Sequence, residues 1–291
     1  MSAPSPADHE QIGRHAGRVG TSAHDRREVV ELAVAELRKA YASGEPCPPL
    51  RERLLPAGEL DTAYAVQRAH LQEWLAAGRR PVGAKIGLTS PAVQRQLGVD
   101  QPDCAVLTAD MAVPDGAEVP LDTLLQPKVE AEVAFVLGAD LPHEQVTSVD
   151  VIRATDHLLP AIEIADSRVA GWNISIVDTV ADNASSGKFV LGTRPRRLAD
   201  VDLRLCGMVL EHAGEPVSVG AGAACLGNPL HAVAWLAQAQ ARAGSPLRAG
   251  DVVLSGALGP MVTVTPGAAY EARISGLGSV RVCFDGREVA A

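Results

Sequence analysis

The segment Pro127–Gly138, PKVEAEVAFVLG, constrains the fold more than any other stretch of the chain. Apart from Lys128, Glu130 and Glu132 it is apolar. Its β-branched and aromatic residues, set between a proline and a glycine, predict a buried strand. Side chains along a strand alternate between faces, so Glu130 and Glu132 project together. Two like charges side by side in a dry setting are costly unless a cation or strong donors offset them. An edge strand with one face in water would carry the same pattern without any ligand. A third carboxylate weighs against that: Glu163 interrupts another apolar run, Leu158 to Ala165, within HLLPAIEIADSR.

With 291 residues, the chain suits one large domain or two modest ones. Residues 1–26 are small, polar or basic and predict a disordered tail containing His9, His15 and His24. Residues 27–125 are expected to form an N-terminal α/β region carrying Lys85, and residues 126–291 a β-rich catalytic part. The net charge of −9, without a basic run, excludes a phosphate-backbone partner. Five scattered cysteines without CxxC spacing predict neither a disulfide framework nor a structural zinc site. No apolar run approaches the ~18–20 residues of a membrane span. The N-terminus lacks the apolar core of a signal peptide, so the expected location is the cytoplasm.

Helical periodicity predicts helices over 27–42, 60–77 and 229–243, with shorter ones over 90–98 and near 149–154. Strands are expected near 80–90, 158–165, 251–254, 261–264, 270–274 and 280–284, with a hairpin turning at Ala213-Gly214. The absence of βαβ alternation argues against a doubly wound sheet. Asp103 is placed in a loop, and VDTVADNASSGKFVLG is read as a polar loop entering a strand. Its SSGK is not a phosphate loop, because Asp182 stands where the first glycine belongs. Lys85 is unusual in the apolar, Gly-flanked RPVGAKIGLTS: such a lysine either reaches the surface or meets an anion.

Three carboxylates in strand-like apolar settings suggest a shared hard cation, Mg²⁺ or Mn²⁺. Lys85 would balance the negative charge and stay protonated in that field. A 2-oxo or 2-enol carboxylate is the natural ligand, since its carboxylate and adjacent oxygen form a five-membered chelate. That chemistry serves hydration, decarboxylation and C–C cleavage equally well.

Together, GAKIGLTSPAVQRQLGVDQPD, LQPKVEAEVAFVL, LPAIEIADSR, VDTVADNASSG and GDVVLSGALGPMVTV resemble the hydratase/decarboxylase branch of the fumarylacetoacetate hydrolase superfamily. The resemblance covers roughly residues 30 to 285. It implies an α+β fold whose rolled, barrel-like mixed β-sheet surrounds the metal, with an N-terminal helical region. It also implies a homo-oligomer, association with a pathway enzyme and a place in aromatic meta-cleavage catabolism. Glu130, Glu132 and Glu163 map to metal ligands, and Lys85 and Asp103 to proton transfer. Lys85, Leu107 and Ser185 map to substrate contacts. Where relatives carry an aromatic residue after the aspartate, this chain has Cys104, a departure expected to reshape the pocket.

The implied reaction is hydration of 2-hydroxypenta-2,4-dienoate to 4-hydroxy-2-oxopentanoate: protonation at C5, water addition at C4 and reprotonation at C3. Decarboxylation of 2-oxohex-3-enedioate is the alternative within the branch and needs a second carboxylate site, with Arg168 or Lys188 as candidates. A non-catalytic partner of such a decarboxylase is a further alternative. An acylpyruvate hydrolase needs a His–Glu base, for which His70, His143, His157, His212 and His231 provide no motif.

Overall fold

The computed structural model describes residues 23–55, 58–91, 94, 95 and 99–287. Most of the expected tail lies outside the described residues, as do His9 and His15 and much of the short helix expected over 90–98. Residues 23–26 belong instead to the first helix, α1 (Ala23–Ser43), which continues four residues upstream of the expected start. The other helices are α2 (Leu60–Ala76), α3 (Ser148–Ala154), α4 (Ile176–Ala181) and α5 (Pro229–Arg242). Each short helix is fixed at its start. Thr147 and Asp150 form a capping box on α3, and Ser175 and Asp178 form one on α4. Asn228 caps α5 ahead of Pro229. The helix at Ile176–Ala181 replaces the expected polar loop. Its capping box was visible in SIVD, but six residues give too little periodicity to predict a helix.

The strands are β1 (Pro81–Gly87), β2 (Asp103–Thr108), β3 (Ala112–Val113), β4 (Glu118–Val119), β5 (Pro127–Leu137) and β6 (Thr155–Asp166). There follow β7 (Ser186–Leu191), β8 (Gly207–His212), β9 (Glu215–Ala221), β10 (Val252–Ala257), β11 (Val262–Thr263), β12 (Ala269–Ile274) and β13 (Gly278–Phe284). One mixed sheet has the order β2-β1-β10-β5-β6-β7-β3, with β11 attached to β5. A second has the order β4-β13-β12-β8-β9. In the larger sheet β1 runs parallel to β10, while β5 runs antiparallel to both of its neighbours, β10 and β6. This sheet takes strands from both sides of residue 126, since β10 is seated between β1 and β5.

The two faces of the larger sheet have separate tasks. Val129, Ala131, Val133 and Phe135 of β5 join Ile162, Ile164 and Val253 in the main core, against β8, β12 and β13 and under α5. The opposite face carries Glu130, Glu132 and Ala134, the last in an apolar group with Leu107, Leu159, Phe189, Leu254 and Trp74 of α2. Helices α1, α2 and α4 pack against one another through Leu37, Val66 and Val180. The result is the α+β, rolled mixed sheet with an N-terminal helical region that the resemblance implied.

Candidate metal centre and active site

Glu130 of β5 is the direct cross-strand partner of Glu163 on β6, and Glu132 pairs with Ala161. Carboxylate oxygens of Glu130, Glu132 and Glu163 all lie within 4.8 Å of one another. Glu132 and Glu163 are buried and Glu130 is partly exposed. An exposed sheet face is therefore excluded for the two deeper residues. The N–H of Gly256 donates to Glu132 Oε2 at 2.8 Å, leaving Glu132 Oε1 buried without a partner. Gly256 holds φ +99°, and a Cβ there would stand 2.3 Å from Thr89 Oγ1, so glycine is required where β10 delivers this donor.

Lys85 approaches the same cluster from β1, with Nζ 3.0 Å from Glu163 Oε1. Burial alone would lower the pKa of its ammonium, but Glu163 and then Asp103 outweigh burial and raise it. Lys85 is thus a buried ammonium meeting an anion, one of the two outcomes expected for it.

Asp103 does not lie in a loop. It opens β2, opposite Gly87 of β1. A Cβ at Gly87 would fall 2.2 Å from Asp103 Oδ1, so the glycine leaves the space the carboxylate fills. Asp103 is buried and Oδ1 has no hydrogen-bond partner. Burial pushes its carboxyl above the ordinary range, Lys85 pulls it down, and Glu163 pushes it up again.

The charge of the glutamates is held at a cost. Burial first, then Glu163, pushes Glu130 up to about 7. The same causes, with Glu130 added, raise Glu132 well above the ordinary value. A divalent cation fits this arrangement: the donors are hard oxygens, two of the three carboxylates are buried, and the deep Glu132 Oε1 accepts no hydrogen bond.

Ser185 is buried at the end of a tight corner in which Asn183, Ala184 and Ser185 have φ of 48°, 48° and 52°. Three consecutive non-glycine residues in the left-handed region are sterically unfavourable and persist only when the surroundings fix them. Here the surroundings do so. The Asn183 side chain accepts from Val106 N at 3.2 Å and donates to Val106 O at 3.0 Å, tying the corner to β2. Arg168 donates from Nε to Asp182 Oδ1 at 2.5 Å, from Nη2 to Asp182 O and from Nη1 to Ser186 O at 2.9 Å each. The Ser185 hydroxyl lies 3.2 Å from Thr179 Oγ1. Thr179 in turn faces Asp103 and favours its charged form. Leu107 is buried in the apolar group beside the carboxylates, together with Phe189 and Leu254.

Two expectations are corrected. Cys104 alternates to the face opposite Asp103, joins the main core and lies 3.8 Å from the Tyr64 hydroxyl, so it does not line the pocket. Arg168 is spent on Asp182 and Ser186, and with Lys188 it borders a different cavity of about 400 Å³ that contains none of the three glutamates. The sequence reading missed Thr179 and Gly87. Thr179 and Gly87 stood in the quoted motifs, but only the folded chain brings them to Asp103.

The profile described as fumarylacetoacetate (FAA) hydrolase C-terminal matches residues 67–285. The chain is 58% identical over 254 residues to 2-keto-4-pentenoate hydratase 2 of Dechloromonas aromatica (strain RCB), covering 87% of this chain and 97% of that one. It is 54% identical over 259 residues to 2-keto-4-pentenoate hydratase of Paraburkholderia xenovorans (strain LB400), covering 89% and 96%. Among solved structures, 4-oxalocrotonate decarboxylase from Pseudomonas putida G7, complexed with magnesium and adipate, superimposes with a TM-score of 0.84. It shares 38% identity, with coverage of 89% of this chain and 98% of that one. No helix among the described residues is long and apolar enough to cross a membrane. Fold, carboxylate cluster and sequence similarity agree: the chain belongs to the fumarylacetoacetate hydrolase family, among its 2-keto-4-pentenoate hydratases.

Proposed function

We propose that the protein hydrates 2-hydroxypenta-2,4-dienoate to 4-hydroxy-2-oxopentanoate with the help of Mg²⁺ or Mn²⁺. The observation that carries this reading is the meeting of Lys85 and Asp103 with three clustered glutamates beside an apolar wall. Glu130, Glu132 and Glu163 would hold the ion, which supplies neutralising charge for a carboxylate and its neighbouring 2-oxygen. Leu107, Phe189 and Leu254 form the wall along which the hydrocarbon part of the ligand lies. Ser185, fixed by its corner, contributes a hydroxyl to the substrate carboxylate.

Lys85, kept as an ammonium, delivers a proton to C5 and takes up the proton that the 2-hydroxyl gives up, which leaves the conjugated 2-oxo-3-enoate and restores the ammonium. Asp103 accepts no hydrogen bond at Oδ1 and has a raised pKa, as suits a base that accepts a proton from water. Water's oxygen bonds to C4 and the proton that Asp103 took from it goes to C3, so the net change is addition of one water. The second carboxylate of 2-oxohex-3-enedioate would need a cation that neither Arg168 nor Lys188 supplies at this face. The test is loss of ultraviolet absorbance of 2-hydroxypenta-2,4-dienoate with Mg²⁺, Mn²⁺ or EDTA, with CO₂ followed in parallel. Metal-dependent loss without CO₂ supports hydration. No loss with either metal, or release of CO₂ from the dicarboxylate at a greater rate, refutes it.

A further inference from the structure

Exposure along β5 has a direction. Glu132 is buried, Glu130 is partly exposed, and Lys128, two residues further on the same face, is also partly exposed. The glutamate cluster therefore opens toward the start of β5, and Lys128 stands at that opening. Its Nζ lies 4.4 Å from the centroid of the Trp172 ring. The indole is itself fixed: Nε1 donates to Gln126 O at 2.9 Å, and Gly171 N donates to Gln126 Oε1 at 2.6 Å. Gly171 and Trp172 adopt φ of 65° and 54° to bring the ring there. Among the described residues the Lys128 ammonium has no hydrogen bond or ion pair, although Glu130 is near enough to act on it. An ammonium propped on an aromatic face, with its N–H donors unclaimed beside an anionic cluster, is arranged to receive an incoming anion.

We propose that Lys128, supported by Trp172, is the group that admits the carboxylate of the substrate to the metal centre. This rests on the functional reading above and adds an orientation to it: carboxylate toward Lys128, hydrocarbon toward Leu107 and Phe189. Charge counting gives the reason. With Asp103 and the three glutamates ionised, a divalent ion and Lys85 leave the site one negative charge in excess. Lys128 cancels that charge, so an anionic ligand enters without net repulsion.

The predicted effects of removing Lys128 have opposite signs, which separates this role from simple damage. Mn²⁺ binding to the metal-free protein, and oxalate binding to the Mn²⁺-saturated protein, are measured by calorimetry for wild type, Lys128→Met and Lys128→Arg. In Lys128→Met, Mn²⁺ should bind roughly three- to tenfold tighter and oxalate at least about fivefold weaker, less so as salt is raised. Lys128→Arg should keep oxalate affinity within about twofold, since it keeps the charge. Unchanged oxalate affinity in Lys128→Met overturns the proposal, and so does a parallel loss of both affinities. A wild-type protein that binds Mn²⁺ and oxalate as expected but does not hydrate the dienoate refutes the functional reading alone. A wild-type protein that binds no Mn²⁺ refutes both.

Discussion

Lys85 and Glu163 form an ion pair at 3.0 Å although β10 and β5 lie between the strands that carry them. Three ladder spacings of a flat sheet amount to about 14 Å. The pair closes only because the sheet curls, carrying β1 and β6 toward each other around the glutamates. The ammonium thus holds one carboxylate of the cluster while facing Asp103. Lys85→Met should lower kcat by roughly 10²- to 10³-fold. It should also strengthen divalent binding, because Glu163 loses its internal partner. Steady-state kinetics and a metal titration check the two effects.

Gly87 tests the placement of Asp103. Its backbone conformation is open to alanine, so Gly87→Ala acts through the methyl group that would meet the carboxylate. Turnover should fall at least about tenfold with little change in the unfolding temperature. Thr179→Val should cost less and should raise the lower pKa of the pH–rate profile, because the hydroxyl favours ionised Asp103.

The glutamates predict an unusual response to pH. Glu130 is pushed up to about 7 from an ordinary 4.5, and Glu132 rises well above that ordinary value. Between the unfolded and folded pKa values the native state binds more protons than the unfolded chain, so stability falls as pH rises. The metal-free protein should melt on the order of 5 °C lower at pH 8 than at pH 5.5. Saturating Mn²⁺ should remove most of that difference, since binding displaces the same protons. Scanning calorimetry at the two pH values, with and without the ion, checks this.

Arg168 and Asp182 are both buried and hold the left-handed corner that ends in Ser185. Breaking the pair strands a charge, so Arg168→Met should destabilise the fold by about 3–5 kcal/mol. Adding Asp182→Leu should recover part of that loss without restoring activity, because Ser185 stays misplaced. Denaturant unfolding and kinetics on both variants distinguish the two contributions.

The carboxylate cluster was legible because it depends on alternation within strands: Glu130 and Glu132 needed only their spacing, and Glu163 only its apolar neighbours. The hairpin at Ala213-Gly214 was legible from Gly214, which adopts a positive φ without strain. Asp103 was misplaced because its strand is defined by pairing with β1, and the local Pro-Asp looks like a turn. Residues 176–181 were misread because one and a half turns of helix have almost no period. Lys128 gave no signal at all, since its role depends on Trp172, which lies far along the chain and reaches it only through Gln126.

The seat of β10 between β1 and β5 also governs when the protein can become active. During synthesis, residues 81–166 leave the ribosome long before 252–257, so β1 and β5 must wait, with their central neighbour still unmade. A chain arrested before residue 252 has no short route to a native sheet. Its exposed strand edges are the surface most in need of a chaperone, and emergence of residues 252–257 should coincide with the slow step of folding.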